Sequence, residues 1–432
     1  MWGQASKRVG YGELWRGNPD FRRLFFARTV SLFGDWFNLL ALLALLRAIG
    51  EDSAMAYATL LVLKTLPVMV ASPLAGVVVD RYSRKSIMII SDVVRALVVV
   101  LMLSLYWLPD PRLLYVLVAM QSMTSAFFEP ARTALLPDLV SEEELSAANA
   151  LGAALWSTML ALGAAAGGVV TSQVGWEVAI GVDALTYVVS ALFLLRLNEP
   201  RAAEDSTAER LGGWASFVEG LVYLRGNPEV LTLAWVKTVW CVAAGGITIV
   251  LTTLGERVYA DSVADGVLAV TVLFVARGVG TGVGPFVVRE AARDNPRTME
   301  RLIGWSFALA GVAYACFPYA QSLAVAALGV SIAHLGGATL WVFSTVRLQH
   351  LVPAPIRGRV FAFEVASFTV VSAFVTMCFG WWLDRPDASP REVGSTLGMI
   401  FAVGWVYWTV RMWWFANDHQ ETTNESDVGV NR

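Results

Sequence analysis

The chain has 432 residues, of which 56% are hydrophobic and 16% charged, and its formal net charge is −3. Ordinary soluble domains carry roughly 45–50% apolar and about 25% charged residues, so this composition argues against a soluble chain. The small net charge gives no reason to expect a nucleic-acid partner. The three cysteines and three histidines are scattered, so we expect no disulfide framework, no metal site and no cofactor.

Twelve apolar stretches follow one another along the chain. A helix needs about 20 such residues to cross the hydrocarbon layer, and helices suit lipid because they satisfy their own backbone hydrogen bonds. The sequence therefore predicts an all-α membrane protein with twelve transmembrane helices. The predicted spans are 22–47, 55–78, 86–108, 113–132, 146–171, 176–197, 229–254, 266–288, 301–319, 322–346, 359–383 and 395–416.

A sequence repeat divides the chain into two halves. Residues 16–30 read RGNPDFRRLFFARTV and residues 225–239 read RGNPEVLTLAWVKTV, with seven of fifteen positions identical. In each copy Asn-Pro interrupts the chain and an acid favours the start of a new helix. This pattern predicts two six-helix bundles, a central loop with an amphipathic surface helix, and a disordered tail. Their predicted bounds are 1–197 and 229–418 for the bundles, 198–228 for the loop and 419–432 for the tail.

The distribution of lysine and arginine predicts the orientation in the membrane. With the N-terminus inside, 22 of the 32 basic residues fall on inner segments, five on outer loops and five within the spans. Because basic residues concentrate on the cytoplasmic side, we expect a multi-pass protein of the plasma membrane with both termini, the loop and the tail in the cytoplasm.

Several segments resemble those of the major facilitator superfamily. Residues 76–86 read GVVVDRYSRKS, similar to the signature between the second and third helices of that superfamily, although Ser83 stands where the signature has Gly. Residues 127–151 and 352–364 resemble its enterobactin-exporter and macrolide-efflux branch. The resemblance covers almost the whole chain and implies the major facilitator fold. Ala164 stands where many proton-driven members have Gly-Pro, which weakens an automatic assignment to drug/proton antiport.

The resemblance also implies a cytoplasmic gate. In the superfamily an acid at the position of Asp80 meets the start of the eleventh helix, which here lies beside Arg357 and Arg359. The alternative is that the basic residues of this turn only enforce topology. Asp92 and Arg95, three residues apart on the third helix, are read as a structural or gate-network pair. The candidate gate residues are Gly76, Asp80, Arg81, Arg84, Lys85, Asp92, Arg95, Arg357 and Arg359.

Ionisable residues inside the spans are costly and normally face a cavity. Asp35 is placed near mid-depth, with Arg28 on the same helix face. It is either a proton-binding carboxylate or a fixed partner of Lys64. The other candidates for proton coupling are Glu129, Asp183 and Glu364. The candidates for a substrate cavity are Arg28, Asp35, Lys64, Lys237, Arg277 and His334, with hydrogen-bonded packing as the alternative for His334.

These features favour a secondary transporter that exports small amphiphilic compounds, of the drug or siderophore type, in exchange for protons. One alternative is a lipid transporter of the same fold, for example for lysophospholipids. Another is a membrane receptor or scaffold without transport. No nucleophile–base or metal constellation suggests an enzyme. The expected partners are the substrate, protons and the lipid bilayer, and the chain is expected to be monomeric.

Overall fold

The computed structural model describes residues 10–198, 213–292 and 295–429, and within them it contains fourteen α-helices and no β-strand. Short 3₁₀ turns cover Leu103–Tyr106 and Phe317–Tyr319. The helices are α1 (Tyr11–Gly17), α2 (Pro19–Ala48), α3 (Ala54–Arg81), α4 (Arg84–Met102), α5 (Pro111–Leu139), α6 (Glu142–Val174), α7 (Trp176–Leu195), α8 (Gly213–Gly226), α9 (Pro228–Arg257), α10 (Val263–Ala292), α11 (Pro296–Cys316), α12 (Leu323–Leu351), α13 (Ala354–Leu383) and α14 (Pro390–Gly429).

Twelve of the described helices are long, and only α1 and α8 are short. Eleven of the long helices are long and apolar enough to cross a membrane. The twelfth, α5, has 29 residues and is less apolar because it carries Gln121, Glu129 and Arg132. The predicted all-α, multi-pass architecture is confirmed.

The repeated RGNP sequence builds the same helix break twice. Asn18 separates α1 from α2, and its side chain accepts a hydrogen bond from the Phe21 amide at 2.8 Å. Asn227 separates α8 from α9, and its side-chain amide donates to the Tyr223 carbonyl at 2.8 Å. In both copies the proline after the asparagine opens the next helix, where its missing N–H costs nothing.

The helices divide into two compact units. Within the described residues, the first unit comprises 10–198 and 255–279, and the second comprises 213–254 and 280–429. The bundle boundaries expected from the sequence, at 197 and 229, stay a prediction.

In the first unit α2 packs against α6 and α7, and α4 packs against α5 and α7. The contact between α2 and α6 is close enough to need glycine, because a Cβ at Gly167 would lie 2.7 Å from the Cα of Phe37. Small residues of this kind let membrane helices approach backbone to backbone.

In the second unit α11 packs against α12 and α14, and α8 packs against α13. The helix α14 is described as far as Gly429, and the disordered tail expected from residue 419 stays a prediction. The helix α8 lies within the predicted central loop, and its place on the membrane surface stays a prediction; residues 199–212 of that loop lie outside the described residues.

Candidate functional site

Asp35 occupies the centre of a polar network in the first unit. It lies on α2 and accepts a hydrogen bond from the Tyr187 hydroxyl of α7 at 2.7 Å. Tyr187 accepts one from Gln121 of α5 at 3.0 Å. The nearest nitrogen of Arg28 is 3.8 Å from the Asp35 carboxylate, and 33% of the Asp35 side chain is exposed. Asp35 is thus the accessible end of a hydrogen-bonded chain across three helices, in which each bond polarises the next.

A second carboxyl group, Asp183, lies one turn before Tyr187 on α7 and is completely buried. The side-chain amide of Asn38 donates a hydrogen bond to it. Gly34 leaves room for this approach, because a Cβ there would lie 2.5 Å from Asp183 Oδ1. Asn38 follows Asp35 by one helical turn, so the two residues share a face of α2. The interface between α2 and α7 therefore holds two carboxyl groups, one partly exposed and one buried.

Arg95 joins α4 to the same network. Its guanidinium pairs with Asp92, which also accepts a hydrogen bond from Ser190 at 2.6 Å. The guanidinium carbon lies 4.4 Å from the ring centre of Tyr187 and 4.8 Å from that of Phe128. Arg95 lies roughly 16 Å along α4 from the start of that helix, where the predicted gate turn ends. Its described contacts are with Asp92, Tyr187 and Phe128. The gate role expected for this pair stays a prediction.

Glu129 of α5 bridges two arginines, with Arg28 Nη2 at 2.7 Å and Arg132 Nε at 3.0 Å. Lys64 of α3 is half-buried, and Asp35 and Asp183 act on it electrostatically. Among the described residues no carboxylate lies within ion-pair distance of Lys64. The fixed Asp35–Lys64 pair considered from the sequence is therefore not formed, and Arg28, on the helix of Asp35 itself, is the nearer cation.

The second unit contains a buried ion pair. Lys237 Nζ of α9 lies 3.0 Å from Glu364 of α13, with only 4% and 2% of the two side chains exposed. Lys237 also donates to the Thr345 hydroxyl at 2.8 Å, and its ammonium lies 4.9 Å from the ring centre of Trp341. Both charges were candidates from the sequence, but as separate residues. The structure makes them partners.

Two candidates for the substrate cavity remain, His334 and Arg277. His334 is largely buried and lies within hydrogen-bonding distance, 3.0 Å, of the Tyr314 hydroxyl, in keeping with the packing interpretation of a lone helical histidine. Arg277 lies in the first unit, with its guanidinium 6.0 Å from the ring centre of Phe274. Neither contact joins these two residues to the network around Asp35.

The sequence profile of the family described as Major Facilitator Superfamily matches residues 24–370. The chain belongs to this superfamily. It is therefore a multi-pass membrane transporter, and the superfamily is not an enzyme family. Transporters of this kind move small-molecule substrates across the lipid bilayer.

Relatives of this superfamily member include exporters. The chain is 28% identical over 366 residues to the Bacillus subtilis protein named "Putative bacilysin exporter BacE", covering 83% of this chain and 88% of that protein. It is 28% identical over 177 residues to macrolide efflux protein A of Enterococcus faecalis, covering 40% of this chain and 55% of that protein. These similarities agree with the efflux branch that the sequence resembles.

Solved structures of two transporters share the fold. The POT family transporter PepTSo superposes with a TM-score of 0.70 at 12% identity, covering 93% of this chain and 98% of that one. The nucleoside transporter NupG superposes with a TM-score of 0.68 at 12% identity, covering 91% and 98%. At such low identity the likeness concerns the fold alone.

The superfamily signature forms a turn between α3 and α4. Gly76 and Asp80 belong to α3, and the side chain of Asp80 lies outside the described part of the chain. Arg84 pairs with Asp138 at the end of α5. Lys85 donates to the carbonyls of Leu195 and Leu197, at 3.0 and 2.8 Å, and so holds the C-terminal end of α7.

The other predicted gate residues are positioned as follows. Arg81 is exposed. Arg357 donates to the Val352 carbonyl at 3.1 and 3.2 Å, and Arg359 pairs with Glu219 of α8. Arg84 and Lys85 contact the ends of neighbouring helices within the first unit, and Arg359 connects α13 to α8 within the second. The cytoplasmic gate stays a prediction.

Reasoning from the sequence missed several residues of the network, among them Tyr187, Gln121 and Asn38. Two of them carried a usable signal. Asn38 follows Asp35 by three residues, and Tyr187 follows Asp183 by four, which are the spacings that place side chains on one helix face. Gln121 carried no such signal, since its link to the network depends on how α5 is rotated against α7.

Proposed function

We propose that this superfamily transporter is a proton-coupled exporter of small amphiphilic compounds. It resides in the plasma membrane with both termini in the cytoplasm and works by alternating access, opening a binding cavity to one side of the membrane at a time. Export is supported by the similarity to a protein named as a putative bacilysin exporter and to a macrolide efflux protein. The cytoplasmic position of the termini is supported by the distribution of lysine and arginine.

The observation that carries the proton coupling is the setting of Asp35. Acids within a membrane are rare and costly, and they mark proton pathways in many transporters. Asp35 is partly exposed, is bonded to Tyr187, and lies 3.8 Å from Arg28. A nearby cation favours the charged form of a carboxyl group, whereas apolar surroundings favour the neutral form.

In the proposed cycle Asp35 binds a proton when Arg28 lies farther away and releases it when Arg28 comes closer. Both residues are on α2, so the distance between them changes when their side chains move. Arg28 also pairs with Glu129 of α5, so a movement of Glu129 displaces the Arg28 side chain. Tyr187 holds the Asp35 carboxyl group in place through the exchange. Asp183, buried beside Asn38, is the second carboxyl group through which a proton could pass.

The proposal is tested in inside-out vesicles that carry a pH-sensitive dye, with a panel of drugs, siderophores and lysolipids. A transported compound should dissipate an imposed pH gradient and accumulate in the vesicles. Asp35→Asn should abolish this uphill accumulation and leave downhill exchange of the same compound. Asp387→Asn, at an exposed residue of the loop between α13 and α14, is the matched control and should retain both.

Uphill, gradient-driven accumulation by the Asp35→Asn protein would contradict the assignment of Asp35. Movement of lysolipids alone, without any effect of the pH gradient, would favour the alternative of a lipid transporter.

A further inference from the structure

A buried acid and a buried amide meet where α2 packs on α7. Asp183 and Asn38 are both completely buried, and the Asn38 side-chain amide donates a hydrogen bond to Asp183 Oδ2. The other oxygen of each group, Asp183 Oδ1 and Asn38 Oδ1, has no donor within the described part of the chain. Buried polar atoms are hydrogen-bonded in the great majority of cases, so two such oxygens on adjoining groups need an explanation.

The packing around Asp183 supplies no donor for its second oxygen. The Thr186 hydroxyl, one turn further along α7, already donates its only hydrogen to the Asp183 backbone carbonyl at 2.7 Å. Gly34 of α2 faces Asp183 Oδ1 so closely that a Cβ built on it would lie 2.5 Å from this oxygen. The space between Gly34 and Asp183 Oδ1 is therefore too small for a bridging water molecule.

The charged groups around Asp183 do not neutralise a negative charge on it. Asp35, Lys64 and Arg95 act on Asp183 electrostatically, but among the described residues no cation lies within ion-pair distance of its carboxyl group. Arg95 pairs with Asp92 instead, and the negative charge of Asp35 offsets the positive charge of Lys64. An ionised carboxyl group that is desolvated and unpaired is strongly disfavoured, and a group in that position takes up a proton instead.

We propose that Asp183 is a proton-binding site, in which a neutral carboxylic acid forms two hydrogen bonds with the side-chain amide of Asn38. A carboxylic acid and a primary amide each offer one donor and one acceptor to the other, so a single added proton supplies the missing donor. The acid hydrogen on Asp183 Oδ1 is donated to Asn38 Oδ1, and the Asn38 amide continues to donate to Asp183 Oδ2. Both oxygens that lack a donor are then satisfied, and α2 is held on α7 without a buried charge.

This bound proton is separate from the one that Asp35 exchanges in the proposed transport cycle. Asp183 holds it in the absence of substrate and of a pH gradient, because burial and the contact with Asn38 are present without either. The inference goes beyond the proposed function and does not depend on it.

The test is infrared spectroscopy of the full-length protein in phosphatidylcholine nanodiscs at neutral pH, without substrate. A protonated carboxyl group has a C=O stretching band at higher frequency than the bands of a carboxylate, and ¹³C in the side-chain carboxyl of aspartate shifts this band. We expect the wild-type protein to show such a ¹³C-sensitive band and Asp183→Asn to lose it. Asp387→Asn, at an exposed residue of the loop between α13 and α14, is the matched control and should keep it.

Asn38→Leu provides a second test that leaves Asp183 itself in place. We expect this variant to shift the Asp183 band to higher frequency, because its C=O group then accepts no hydrogen bond from Asn38. This shift decides the question if Asp183→Asn does not fold.

The absence of a protonated-aspartate band from the wild-type protein would overturn the proposal. A band that neither Asp183→Asn nor Asn38→Leu changes would overturn it as well, since the proton would then belong to another aspartate. Asp35→Asn should keep the band that Asn38→Leu shifts, so a failure of proton coupling at Asp35 would leave this result intact.

Discussion

The buried Lys237–Glu364 pair predicts a strongly non-additive response to mutation. Only 4% and 2% of the two side chains are exposed, so removing one partner leaves the other charged and buried. We expect Lys237→Met and Glu364→Leu each to lower the free energy of unfolding by roughly 3–5 kcal/mol. The double variant Lys237→Met/Glu364→Leu should lose much less, because two apolar side chains then replace the pair. The coupling energy should reach about 3 kcal/mol.

The assay is equilibrium unfolding of the purified protein in mixed micelles, driven by a rising fraction of denaturing detergent and followed by circular dichroism. The Arg84–Asp138 pair provides the control cycle. Its side chains are 28% and 39% exposed, and exposed pairs contribute roughly 0.2–1 kcal/mol. Single losses below about 1 kcal/mol at Lys237 and Glu364, or a double variant as unstable as the two singles combined, would refute the reasoning, since both results are typical of a solvated pair.

Three further predictions follow from the first unit and from the topology. Gly34→Ala should lower the free energy of unfolding by roughly 1–3 kcal/mol, because its Cβ would press on the side chains of Thr186 and Asp183; an unchanged detergent midpoint would contradict the packing of α2 on α7. Tyr187→Phe should cost roughly 1.5–3 kcal/mol in the wild type and clearly less in an Asp35→Ala background, and equal costs in the two backgrounds would show that the Tyr187–Asp35 bond contributes nothing. Single cysteines at Ser83 and Ser389, made after replacing the exposed Cys316 and Cys378 and the buried Cys241, should label oppositely with an impermeant thiol reagent on intact cells, with only position 389 reached from outside.

Much of the fold could be predicted from the sequence because helices in lipid have a simple physical signature. Apolar runs of about 20 residues give the number and order of the spans, and the Asn-Pro breaks at Asn18 and Asn227 mark where two of the helices begin.

Charge pairs within one helix could also be predicted from their spacing. Asp92 and Arg95 are three residues apart, as are Glu129 and Arg132, and both pairs are formed. This information is local, since helical geometry alone decides which side chains share a face.

Contacts between helices could not be predicted in this way. Tyr187 and Asp35 are 152 residues apart, and Lys237 and Glu364 are 127 apart. Whether such residues meet depends on the rotation and depth of each helix. The packing of α2 on α7, and of the helices around α9, sets that rotation and depth. The sequence accordingly placed Arg28 on the face of Asp35 and offered Lys64 as its alternative partner, whereas the bond from Tyr187 was not predicted.

Proton release on substrate binding is the most direct measurement of the central claim, that Asp35 couples proton movement to transport. The purified protein, in weakly buffered solution with a pH-sensitive dye and no membrane gradient, is titrated with a compound that the vesicle screen identifies as transported. We predict that the wild-type protein releases protons as the compound binds, and that Asp35→Asn binds the compound without this release. Equal proton release from the wild-type and Asp35→Asn proteins would contradict the account.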